Sequence, residues 1–196
     1  MTPDFDSAAG SPRQGPIDTS AATLTAAETV TLSALLDGMF PADEHGPGAL
    51  EIGVLDYLQH ALAGPYNDLA PIYRRALAAL DDVARREHGQ SFSQLTNQQR
   101  EAMIARLECG QLEKSGLEDV AGFFDLVWRH LREGLFADPV HGGNRQMLGW
   151  RLIGFPGAQV GYTAEEQQVG ARIVREPRSV SELETTLPRD TGPERP

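Results

Sequence analysis

The chain has 196 residues, 40% of them hydrophobic, which suffices for one domain with a genuine core. Its 28 acidic residues outnumber 17 basic ones, and the formal net charge of −11 works against binding a phosphate backbone or an anionic membrane surface. Cys109 is the only cysteine, which excludes an intramolecular disulfide, and no apolar run reaches the ~18 residues that a membrane-spanning helix needs.

Residues 1–23 are rich in Pro, Gly, Ser, Ala and Asp without an apolar period, and are expected to form a disordered leader. Thr25 and Glu28 make a capping box, and Leu32, Leu35, Leu36 and Met39 follow at helical spacing, so a first helix is predicted to end near Gly38 to Pro41. After the turn-rich DEHGPG, the positions of Leu50, Val54, Leu55, Leu58 and Leu62 predict a second helix closed by Gly64-Pro65. A third is expected from Asp68, with Ile72, Tyr73, Ala76, Leu77, Leu80 and Val83 as one stripe and His88-Gly89 as its stop. Thr96 with Gln99 opens a fourth, its apolar face formed by Met103, Ile104 and Leu107; Cys109, near its end, reads as a buried structural thiol. The fifth is the most apolar: Val120, Phe123, Phe124, Val127, Trp128, Leu131 and Leu135 place it and Trp128 at the centre of the domain, and Asp138-Pro139 ends it.

No convincing run of alternating β-branched residues occurs, so the class is all-α: about five helices over residues 24–163, a single helical domain. Its irregular feature is the Gly/Trp/Pro-rich stretch DPVHGGNRQMLGWRLIGFPG, with a short helix expected around Arg145 to Leu152. Residues 164–196 are polar and read as an extended or disordered tail.

Chemistry-bearing patterns are sparse. Gly142-Gly143-Asn144 is followed by no Lys-Ser/Thr and preceded by no strand, so a nucleotide loop is disfavoured against a tight turn in which Asn144 caps the following helix. His45, His60, His88, His130 and His141 form no close i, i+4 pair with a carboxylate base, and no metal ligand set or catalytic serine elbow is expected. Asp43, Glu44 and His45 read as a solvated acidic turn. For Trp150, Phe155 and Tyr162, set among glycines and prolines, both a lid over the core and an exposed interface anchor fit.

FADPVHGGNRQMLGWRLIGFPGAQVGY resembles the C-terminal signature of the gluconate 2-dehydrogenase subunit 3 family, and FPADEHGPGALEIGVLDYL resembles its first; order and spacing agree over about residues 25–162. The resemblance implies a non-catalytic small subunit, without a cofactor of its own, in a membrane-associated or periplasmic sugar or sugar-acid dehydrogenase. Its partner would be an FAD-dependent flavoprotein of the glucose-methanol-choline type, often joined by a cytochrome c subunit. The small subunit would assist maturation, stability and export. In that setting Asp138, Pro139, His141, Gly142, Gly143, Asn144, Trp150, Phe155, Pro156 and Tyr162 are expected to shape the partner-facing surface.

Two departures stand out. His141 occupies a position where the family usually has Tyr, which adds a titratable group. Many family members carry a twin-arginine export signal, whereas here the pairs Arg74-Arg75 and Arg85-Arg86 lie inside a helix with no apolar segment after them. As written the chain is expected to be cytoplasmic, or periplasmic through co-export with its partner. Two other readings stay open: an enzyme with Asp138 and His141 as acid and base, and a free-standing helical interaction module.

Overall fold

The computed structural model describes residues 24–112, 116–171 and 175–186; the expected leader at 1–23 lies outside them. The fold is all-α, and among the described residues β pairing is limited to two isolated bridges, Asp43 with Gly46 and Gly157 with Arg178.

Helix α1 (Ala26–Met39) opens on the capping box: the Glu28 amide donates to the Thr25 hydroxyl at 3.3 Å and the Thr25 amide to the Glu28 carboxylate at 2.6 Å. Leu32, Leu35 and Leu36 are fully buried where α1 packs on the later helices, and Gly38 lies against Ile104, on the apolar face of the fourth predicted helix. The second predicted helix is two. Gly53, at φ +91°, ends α2 (Ala49–Ile52) and starts α3 (Val54–Ala63), a left-handed step that the apolar period runs straight through.

The third predicted helix starts later than Asp68. Asn67–Leu69 form one 3₁₀ turn, and α4 (Ala70–His88) follows with Pro71 in its first turn and Gly89 as its left-handed cap. Ile72 is exposed, whereas Tyr73, Ala76, Leu77, Leu80 and Val83 are buried. Helix α5 (Asn97–Glu108) begins at the Thr96–Gln99 capping box. Cys109 is exposed rather than buried, because as the C-cap residue it lies beyond the inward face that ends at Leu107.

Helix α6 (Val120–Phe136), capped by Asp119 on the Gly122 amide at 2.8 Å, is the main core helix. It turns Phe123, Val127, His130, Leu131, Gly134 and Leu135 inward. Trp128 is not in the core: it is 38% exposed, with the Arg132 guanidinium 5.9 Å from its ring centroid, since the inward period selects Val127 and His130 and carries the intervening position outward. Gly134 lets α3 approach, as a Cβ there would lie 3.0–3.1 Å from Val54 and Tyr57.

The glycine-rich stretch then folds as a 3₁₀ turn (Pro139–His141), a second (Arg145–Met147) and α7 (Leu148–Ile153). Beyond it the chain is less extended than its polarity suggests: α8 (Val180–Thr186) is helical, and Ser179 before it is buried. No described helix is long and apolar enough to cross a membrane.

Candidate functional site

The glycine stretch is a tertiary cap on α6. A helix leaves its last carbonyls without internal partners, and here those groups are satisfied from further along the chain. The Ala137 amide closes onto the Glu133 carbonyl at 2.8 Å, and the Asn144 amide donates to Gly134 at 2.8 Å. The Trp150 indole donates to Phe136 at 2.7 Å and the Asn144 side-chain amide to Ala137 at 2.9 Å. Asn144 is fully buried, and its Oδ1 accepts the Gly149 amide at 2.9 Å, so one side chain ties the end of α6 to the first turn of α7.

Glycine is required at two of these contacts. A Cβ on Gly143 would strike the Gly134 carbonyl oxygen, and one on Gly149 the Leu135 carbonyl oxygen, both rigid backbone. The turn between them is strained. Asn144, Gln146 and Met147 have φ of +44°, +54° and +58°, each costing an L residue about 1–2 kcal/mol.

Two further segments fix the stretch. On one side the first signature meets the second: the Arg145 side chain packs over Gly53 and forms an ion pair with Asp56, and Leu152 lies over Gly46. The loop residue Asp43 accepts the amides of His45 and Gly46 at 2.8 and 3.2 Å, which commits that carboxylate to its own turn. On the other side Asp138 binds the C-terminal segment. It accepts the Ser179 hydroxyl at 2.6 Å, the Val180 amide at 2.9 Å and the Val140 amide at 3.1 Å. Burial opposes ionisation of Asp138, but these bonds and nearby His141 outweigh it and hold the carboxyl below its ordinary range. The Ala158 amide bonds to the Arg178 carbonyl at 2.8 Å, and Gly157 leaves room for that strand-like approach.

The ten residues singled out from sequence therefore separate into a frame and a surface. Gly143, Asn144 and Trp150, the last only 4% exposed, are buried; Pro139, Gly142 and Pro156 are half-buried; Asp138 is committed to the C-terminal segment. Trp150 thus takes the lid position. Phe155 is 46% exposed while its ring meets Trp150 edge-on at 5.3 Å, and Tyr162 is exposed with the Arg175 guanidinium 5.2 Å from its ring. Leu152, Ile153 (59% exposed) and Val160 extend this succession of exposed apolar side chains.

His141 is exposed and lines a cleft of about 400 Å³ with Tyr57, His60, Tyr66, Glu133 and Ala137. Glu133 Oε2 accepts the hydroxyls of Tyr57 at 2.7 Å and Tyr66 at 3.2 Å. Burial, then the bond to Glu133 and its charge, push the Tyr57 phenol far above its usual value, so it stays a donor. The Tyr66 ring stacks on His130 at 4.7 Å, and His130 Nδ1 shares a 2.9 Å hydrogen bond with Tyr73. Sequence reasoning missed this group. Its signal was Glu133 one turn beyond His130, two polar residues at the edge of the most apolar stripe in the chain. Among the described residues no three His, Cys, Asp or Glu side chains converge to hold a metal ion.

No curated protein and no solved structure matches the chain. The family model described as gluconate 2-dehydrogenase subunit 3 matches residues 26–157, more than half of the chain and a span that takes in α1 through Gly157. With its two signature segments packed against each other at Gly53–Arg145 and Gly46–Leu152, the chain belongs to the gluconate 2-dehydrogenase subunit 3 family.

Proposed function

We propose that this chain is the non-catalytic small subunit of an FAD-dependent sugar or sugar-acid dehydrogenase of the glucose-methanol-choline type, where it assists maturation, stability or export of the flavoprotein. In this reading flavin, and haem c where a cytochrome subunit is present, belong to the partners. Family membership supports the reading, and one observation carries it: Ile153 and Phe155 hold apolar surface in solvent on a segment fixed from beneath by Asn144 and Trp150, and the exposed Val160 and Tyr162 continue that surface. Aromatic and aliphatic side chains on a rigid base are what a protein interface uses as anchors, because little ordering entropy remains to be lost on association. Gly143, Asn144 and Trp150 act in this reading by holding the anchors in place.

The test is co-expression with the flavoprotein and capture through this chain, with flavin absorbance of the captured material as the readout. Wild type is expected to bring down a yellow partner, and Ile153→Asp with Phe155→Asp to reduce it at least tenfold while the melting temperature stays within a few degrees. Undiminished capture by the double variant would remove the anchors from the interface, and a colourless wild-type eluate would remove the subunit reading.

A further inference from the structure

The cleft beside the glycine stretch contains a carboxylate whose neighbours are hydroxyls. Glu133 Oε2 accepts from Tyr57 and Tyr66, both neutral donors, and among the described residues no Lys or Arg lies within ion-pair distance of it. A half-buried carboxylate bonded only by neutral donors has no opposite charge beside it, and water screens it less there than at the surface. Around it Tyr66 is held in place by stacking on His130, Ala61 and Pro65 supply apolar wall, and His60 and His141 complete the lining of a space of about 400 Å³.

This combination selects by charge. An anion would meet Glu133 in a chain of net charge −11. A metal ion would need more ligating side chains than converge anywhere among the described residues. An organic cation fits on both counts: its N–H groups can donate to the Glu133 carboxylate in a charge-assisted bond, and its alkyl carbons match aromatic and aliphatic walls.

We propose that the Tyr57–Tyr66–Glu133 cleft binds one organic cation, an alkylammonium or guanidinium group, arriving either as a free amine or as a Lys or Arg side chain of a docked protein. The binding assignment concerns this chain alone and a free probe; only the source of the natural cation is read through the proposed flavoprotein partner.

The probe is butylammonium chloride, titrated into the full chain by calorimetry at constant ionic strength, with 1-butanol as the neutral counterpart. Saturable binding of butylammonium at least tenfold tighter than that of butanol is expected, and the wild-type comparison needs no variant to fold. Glu133→Gln retains an oxygen for both tyrosine hydroxyls and is expected to lose at least tenfold in affinity; Glu101→Gln, which removes the same charge from an exposed site on α5, is expected to change nothing. Equal binding of butanol, unchanged affinity in Glu133→Gln, or no saturable binding at all would each overturn the proposal. Where butylammonium binds, loss of flavoprotein capture by Glu133→Gln identifies the natural cation as a partner's side chain, and unchanged capture identifies it as a free amine.

Discussion

The Trp150 indole N–H donates to the carbonyl oxygen of Phe136 across 2.7 Å, so a side chain fourteen positions downstream finishes the helix that Phe136 ends. Trp150→Phe keeps a large ring but leaves that carbonyl without its donor, and is expected to cost about 1–2 kcal/mol. Trp150→Ala, which also empties the volume under Phe155, is expected to cost about 3–5 kcal/mol. Thermal denaturation of both variants checks the order, and a Phe variant as stable as wild type would refute the capping role.

Gly149 and Gly89 provide a matched pair. At Gly149 an added Cβ meets the Leu135 carbonyl oxygen, whereas Gly89, with φ +72°, has nothing within 4 Å of the same atom. Gly89→Ala is therefore expected to cost only the left-handed backbone penalty of about 1 kcal/mol. Gly149→Ala must push α7 off α6 and is expected to cost about 3 kcal/mol. Urea unfolding midpoints decide it, and equal losses would mean that the α6–α7 approach is not tight.

Asp138 predicts an acid-sensitive attachment of the C-terminal segment. Its pKa is lower in the folded chain than the unfolded value of about 3.9. The stabilisation is therefore complete above that value and is lost as the pH falls through the folded pKa. The Val180 amide resonance is expected to move with that titration, and Asp138→Asn to abolish the movement and release α8 at neutral pH. A Val180 signal unaffected by the substitution would show that the segment is held by other groups.

His130 acts near neutrality. Burial, opposed by the Glu133 charge and assisted by that of Arg129, lowers its folded pKa below the unfolded value of about 6.5. The unfolded chain thus binds the proton more readily, and stability is expected to decline as the pH falls from about 6.5 toward the folded pKa. Tyr73→Phe removes the hydroxyl bonded to Nδ1 and is expected to cost about 1–3 kcal/mol at neutral pH. Chemical denaturation between pH 7 and pH 5, conditions spanning about 6.5, provides the measurement; a flat profile, or one unchanged in His130→Gln, would contradict the assignment.

Much of this architecture is legible in the chain because it is local. Thr25 with Glu28 and Thr96 with Gln99 state their capping boxes within three residues, and the Leu32–Leu35–Leu36 spacing states which face is buried. What escaped was set by tertiary geometry. Gly53 breaks a continuous apolar period by taking a left-handed backbone that the hydrophobic spacing does not register, and Trp128 loses its place in the core to His130, which is satisfied there by Tyr73. The polar segment before α8 has no apolar pattern because Asp138, on the far side of the motif, supplies its anchorage through hydrogen bonds. The motif itself was visible, but its division into a buried frame and exposed side chains was not, since the fold and not residue type puts Gly143 and Asn144 inside and leaves Phe155 in solvent.

Most helices carry their stop signal within a few residues, and so can form their final turn before the rest of the chain is in place. α6 too has its local stop at Asp138-Pro139, but its last carbonyls find their partners in Asn144 and Trp150, so the capped end and the glycine stretch close as one cooperative unit. On a ribosome the capping of those carbonyls therefore waits for the synthesis of Trp150, and the exposed side chains from Leu152 onward emerge just as the base that holds them becomes able to set.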